Sequence, residues 1–462
     1  MNNHKTNIIS LLEQMNYEYI YTIQYFENVI LKNNLHAALK LINPNLNKSI
    51  IDSAIKKLES ADHYNLLNDN RNFHKTLLDG LVITTKGQDS NDQHVVNLID
   101  YNNVLNNSYI VSEKFSNNQI PGKDQPDIII YINGLPLVII LTSSFKNNCD
   151  SINAIYEKLE VYKTILPNLL TYNSLCILSN NNQALVGTVS SSLMEFNPWL
   201  LSKTSNNNLS SSLKELIKTI LSPAAIVDLI RHFIFSTHKP NSSIINKKLA
   251  SYHQYFAVNR SIDSTIRAIG YYPNTGKSST YIVAESPSKY GLKDTSDQEY
   301  SDHRAGIVYH VPKQSKYLTM ALYTGKMISE LNNLTCLIII DRNYNFKQLF
   351  ETFELTASLL LQKPLFSHNI IELTTLIYYS NNDIIFNTIQ DFQNSNIKSL
   401  VSNRKNILVI VDDIHPTQIN SLKNLKIALP NATYIKFNSL STDQKELDIT
   451  DIFGNHIDVY GL

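Results

Sequence analysis

KDQPDIIIYINGLPLVIILTSS, residues 123–144, is the stretch on which the reading of the chain turns. Two short apolar strands are expected, over 127–132 and 136–142. Asn133-Gly134 sits between them, a pair suited to the positive φ angles of a tight hairpin turn. A single acid, Asp127, opens the first strand. Along a strand, residues i and i+2 share a face. An acid at the start of one strand, with Glu-x-Lys on the next, would therefore aim two carboxylates and a lysine at one Mg²⁺ and one phosphate.

The run PDIIIYINGLPLVII resembles the nuclease core of the R subunit of type I restriction enzymes, the subunit that cuts and translocates DNA. That family reads PD, an apolar run, NGLPL, a second apolar run, then Glu-x-Lys. Asp127, Asn133, Gly134, Leu135, Pro136 and Leu137 match it, while Leu141 and Ser143 fall where the Glu and Lys belong. Leucine offers Mg²⁺ no hard oxygen ligand, and serine brings no positive charge. Lys146 lies three residues further on, with the opposite strand parity. Asp127 alone is left as a metal ligand. Downstream, SINAIYEKLEVYKTI (151–165) reads as a helix capped by Ser151. In the resembled family a helix here carries Gln-x-x-x-Tyr beside the nuclease site. The matching positions are Lys158 and Tyr162, so the tyrosine is kept and the glutamine is not.

Further out, 7–40 reads as helical, 49–58 as a helix and 80–85 as a strand, with another strand beginning at 109–111. Strands are expected over 174–178 and 184–189, then closing helices over 213–235. Residues 1–235 form the first expected domain. A polar joint at 236–243 leads into 247–269, expected to be helical throughout. SYHQYFAVN there resembles the segment before the motor domain, where Gln254 would correspond to a glutamine near the adenine ring. The residues alone favour the plainer reading, a helix packing Tyr255, Phe256 and Val258 into a core.

GYYPNTGKSS (270–279) imitates a phosphate loop, but Tyr271 stands at the first glycine's place and a helix precedes it. It reads as part of a surface loop running to about residue 302, closing a linker segment of 236–303. The expected loop is in RAGIVYHVPKQSKYLTMALY (304–323). The family has His-Thr-Gln-Gly-Ser-Gly-Lys-Ser-Leu-Thr-Met, against His310, Val311, Pro312, Lys313, Gln314, Ser315, Lys316, Tyr317, Leu318, Thr319 and Met320 here. Lys316 is kept. Both glycines and the Mg²⁺-binding hydroxyl are lost, and Pro312 removes a backbone donor. Later motor motifs follow in family order: DRNYNFKQLFETF (341–353), IIFNTIQDF (384–392), ILVIVDDIHPTQ (407–418) and ALPNATYIKFNSLS (428–441). The resemblance makes Arg342 and Thr388 DNA-contact candidates. It sets Asp412, Asp413 and His415 at the Asp-Glu-Ala-His word that handles Mg²⁺ and the attacking water. Read alone, Asp412-Asp413 is an ordinary solvated strand end.

The expected fold class is α/β: a restriction-endonuclease-like PD-(D/E)xK domain, then one RecA-like P-loop-type lobe over 304–462. The second lobe and the tail that docks the methyltransferase and specificity subunits are not expected within these residues. The 462 residues are 43% hydrophobic, and 40 basic residues balance 40 acidic ones, which excludes a generally basic nucleic-acid coat but not a local one. Only 12 glycines occur, few for a chain with several phosphate loops. Cys149, Cys176 and Cys336 form no CxxC pair and read as free thiols of a reducing cytoplasm. No signal-type N-terminus or ~18-residue apolar run is present, so no membrane span is expected.

The resemblance implies Mg²⁺ and ATP as family cofactors and DNA as partner. The damaged words imply that neither cofactor is used, and that cleavage and ATP turnover are lost. Two alternatives stand beside this reading. One is a DNA-binding or interaction module without chemistry. The other is a restriction subunit whose residual activity a partner completes.

Overall fold

In the computed structural model, Asn133 and Gly134 take φ of 54° and 79° and turn the chain between strands Ile128–Ile132 and Leu135–Thr142. The structure describes residues 3–25, 29–60, 65–86, 91–117, 126–142, 151–180, 183–199, 210–238, 245–270, 298–310, 313–331, 333–341, 346–360, 362–393, 402–439 and 449–460. The turn is buried, and its side chain is used in full. Asn133 Nδ2 donates to Leu98 O at 2.9 Å and to Asn107 Oδ1 at 2.8 Å, and its Oδ1 accepts the Ser108 N–H at 2.8 Å. A Cβ on Gly134 would meet Leu31 O at 2.5 Å, so glycine lets the start of helix Lys32–Ile42 lie against the turn.

These two strands are the third and fourth of a seven-stranded mixed sheet. Its order is Glu18–Tyr25, Tyr109–Asn117, Ile128–Ile132, Leu135–Thr142, Leu175–Ser179, Ala184–Gly187 and Asn197–Pro198. Glu18–Tyr25 runs parallel to its neighbour, as do Leu135–Thr142 and Leu175–Ser179; the other pairs are antiparallel. The central strands are buried along their whole length, which explains their unbroken apolar runs. Ser151 caps helix Ile152–Ile165 by accepting the Ala154 N–H at 3.3 Å.

The expectation of helix throughout 7–40 is corrected here. Helix Asn3–Glu13 is followed by strand Glu18–Tyr25, paired from Glu18 opposite Ile110 to Tyr25 opposite Asn117. EYIYTIQY is rich in aromatic and β-branched residues, which favour a pleated surface over a helix. The helical expectation for 247–269 is corrected in its first residues. Ile245–Leu249 is a strand pairing antiparallel with Ile234–His238, and the helix is Tyr252–Ile269. Cys176 and Cys336 are buried free thiols, and Cys149 lies outside the described residues.

The chain divides into two compact units, Met1–Leu249 and Ala250–Leu462. The hairpin of 234–249 therefore belongs to the first. The second has its own seven-stranded sheet, in the order Leu365–Phe366, Ile384–Thr388, Thr335–Ile340, Ile407–Asp412, Thr433–Asn438, Arg304–His310 and His456–Tyr460. Every neighbouring pair is parallel. The carboxyl ends of Ile407–Asp412, Thr433–Asn438 and Arg304–His310 lie side by side, where ligand crevices open in such sheets. Helix Lys313–Glu330 starts just beyond the last of these, and the imitation phosphate loop at 271–279 is outside the described residues.

Candidate functional site

Lys316 lies in the first turn of helix Lys313–Glu330 and is completely buried. Its Nζ is 2.5 Å from Asp412 Oδ1 and 2.5 Å from Asp413 Oδ2. Asp412 ends its strand, and Asp413 follows it. Asp413 Oδ1 accepts the Ser439 N–H at 2.7 Å, and its Oδ2 accepts the Ser439 hydroxyl. Ser439 follows strand Thr433–Asn438, so three elements close on one ammonium group. Burial pushes the Asp412 carboxyl above the usual carboxylate range, although Lys316 opposes it. Burial pushes Asp413 the same way, but Lys316 and Ser439 outweigh it and hold that carboxyl below the range. A proton entering this triad therefore goes to Asp412.

Tyr317 is also buried, with Lys316 Nζ 5.2 Å from its ring centre. Gln254 Oε1 accepts the Ser251 N–H at 3.0 Å, closing a capping box on its own helix. Its Nε2 donates to Ser315 O at 3.3 Å. His253 Nε2 is 2.8 Å from Ser315 Oγ, and its ring stacks flat on Tyr460 at 3.8 Å. Burial and the nearby His310 lower His253 to about 3, so it is neutral. MgATP does not fit this arrangement. Lys316 is inside two ion pairs, and the Tyr317 ring beside it is buried.

Other expected residues lie apart from the triad. His415 is exposed, its Nδ1 2.9 Å from Thr417 Oγ1 in its own loop. Thr388 is buried at the end of strand Ile384–Thr388. Arg342 lies outside the described residues.

In the first unit, Asp127 precedes strand Ile128–Ile132, and its Oδ2 accepts the Thr142 N–H at 2.7 Å. Lys5 Nζ lies 2.6 Å from Oδ1, and Lys158 Nζ lies 3.6 Å from Oδ2. Lys158 Nζ is also 5.9 Å from the centre of the buried Tyr162 ring. Leu141 is buried within its strand, and Ser143 and Lys146 lie outside the described residues. Asp127, Lys158 and Tyr162 thus come together. Mg²⁺ does not fit here either, because an ammonium group already sits on the one carboxylate. Among the described residues, no group of three or more His, Cys, Asp or Glu side chains is placed to hold a metal ion.

Lys5 and Ser439 were not found by sequence reasoning. Each meets its acid only through the folded sheet; Ser439 lies within the 428–441 motif, but nothing in that motif pairs it with Asp413. Among the described residues, no helix is long and apolar enough to cross a membrane.

Residues 2–193 match the family model of the type I restriction enzyme R protein N terminus, and residues 253–462 match that of the SWI2/SNF2 ATPase. The chain is similar to the type I restriction enzyme HindI endonuclease subunit of Haemophilus influenzae, at 28% identity over 94% of this chain and 41% of the relative. It is 25% identical, with the same coverages, to a putative type I restriction enzyme MjaIXP endonuclease subunit of Methanocaldococcus jannaschii. The chain thus spans about two fifths of the length of these relatives. A solved fragment of a putative HsdR subunit of a type I restriction enzyme from Vibrio vulnificus YJ016 aligns with 83% of this chain and 53% of its own, at 13% identity and a TM-score of 0.26.

Proposed function

This chain is a relative of the type I restriction enzyme R proteins, and on that premise we propose that it has kept the family's frame and given up its chemistry. In this reading the first unit is a PD-(D/E)xK-type shell and the second a RecA-like lobe. The family role is ATP-dependent translocation and cleavage of foreign DNA. The role left here is to hold DNA in the cytoplasm without cutting it, apart from or beside methyltransferase and specificity subunits. The observation that carries the proposal is Lys316, fully buried between Asp412 and Asp413. To meet a phosphate, Lys316 must leave two ion pairs, and the incoming anion must approach two carboxylates. Breaking a buried pair costs about 3–5 kcal/mol.

The same convergence supports a second reading. Lys316, Asp412 and Asp413 meet at the carboxyl ends of a parallel sheet, where nucleotides bind in such folds. MgATP would then release the lysine from the acids. Thermal melting with millimolar MgATP, paired with plasmid cleavage in Mg²⁺ and ATP, separates the two. We expect no upward shift and uncut plasmid. A ligand at a hundred times its Kd would add about 2.7 kcal/mol of stability. A shift of that size, lost in Lys316→Ala, would favour the second reading instead.

A further inference from the structure

The place at Asp127 where a divalent cation would sit is taken by lysine. Lys5 Nζ is 2.6 Å from one carboxylate oxygen, and Lys158 Nζ is 3.6 Å from the other. Two ammonium groups face one carboxylate, so the cluster carries an excess positive charge. Neither lysine is sealed in: the Lys5 side chain is 19% exposed and that of Lys158 28%, against none for Lys316. On the same helix, Lys163 is spent on Glu160 at 2.6 Å, which leaves Lys158 as the cation turned to the strand ends. The second oxygen of Asp127 is engaged by the Thr142 N–H at 2.7 Å, which fixes the carboxylate between the lysines.

We propose that Lys5 and Lys158 form a metal-independent site for a nucleic-acid phosphodiester, with Asp127 as the anion the phosphate displaces. A phosphate oxygen accepts hydrogen bonds from both ammonium groups, as the carboxylate does in its absence. Asp127 is then a competitor for DNA, the reverse of its part in a metal site. This rests on the reading that the chain holds DNA without cutting it.

The test is fluorescence anisotropy with a labelled DNA duplex at low salt, in EDTA and again in Mg²⁺. We expect equal binding in both. The Lys5→Ala/Lys158→Ala protein should bind about tenfold or more weakly. Its slope of log affinity against log salt should be shallower by about 1, for the one lost phosphate contact. Asp127→Asn retains an oxygen for the Thr142 N–H but loses the charge, so it should bind DNA more tightly than the parent. A metal site predicts weaker binding from the same change. Single variants Lys5→Gln and Lys158→Gln, checked by circular dichroism, guard against misfolding of the double variant. Binding that requires Mg²⁺, loss of binding in Asp127→Asn, or equal affinity in the folded lysine variants would each overturn the site alone, whereas no binding by the parent protein at low salt would overturn the underlying reading with it. Cleavage of the duplex in Mg²⁺ would overturn the underlying reading instead.

Discussion

Lys316 shows how much one side chain can hold. It pairs with two carboxylates, one buried and one partly buried, and both acids come from the end of one strand. In Lys316→Met the acids face each other uncompensated, and a loss of about 3–5 kcal/mol is expected in urea unfolding. The pH dependence has a defined sign. Asp412 already stands above the usual carboxylate range because of burial, so it opposes folding more as pH rises. Asp413 stands below that range, so its contribution is present above the unfolded carboxyl pKa of about 3.9 and lost as pH falls. Removing Lys316 takes away the force that lowers Asp413, and both acids then prefer to be protonated. The deficit of the variant should be largest near about pH 8 and should narrow toward about pH 5. A deficit that does not change with pH would mean the triad is not ionised as described.

The hairpin of 128–142 was legible because its signals agree. Asn-Gly demands positive φ, the flanking runs are apolar, and the acid sits at the strand's mouth. The first strand of the sheet was not legible as one. EYIYTIQY lies between two helical stretches, and apolar residues occur there at both periods, so only its parallel partner Tyr109–Asn117 decides it. Within the candidate sites the acids could be read from their words, while Lys5 and Ser439 could not. Their pairings are made by tertiary contact and leave no spacing in the chain. The buried turn gives a second prediction. Asn133→Ala removes three hydrogen bonds, each about 1 kcal/mol, so a loss of about 3 kcal/mol is expected in chemical denaturation. Gly134→Ala should also cost more than about 1 kcal/mol, because its Cβ would press on Leu31 O in a positive-φ backbone.

Across the whole molecule, the two units each carry their own sheet and core. The sequence sets the first boundary at 235, but the strand Ile245–Leu249 is tied back into the first unit. Lys247 Nζ donates to Asn173 O at 2.7 Å, and the Thr188 and Ser190 hydroxyls donate to Lys247 O at 2.6 and 2.7 Å. Residues 1–249 and 250–462, produced separately, are expected to melt cooperatively by calorimetry. Residues 1–235 should melt lower than 1–249, because the Asn173 carbonyl and both hydroxyls each lose one hydrogen-bond partner. Equal melting of the two pieces would show that the hairpin adds nothing to the first unit.

The lysine seated on Asp127 also differs in kind from a bound metal. A bound metal comes and goes with its concentration, whereas Lys5 is covalently part of the chain and arrives with every copy. Glutamate and lysine written at positions 141 and 143 would leave Lys5 in that seat. Access to Asp127 thus runs through a third position, Lys5, on helix Asn3–Glu13.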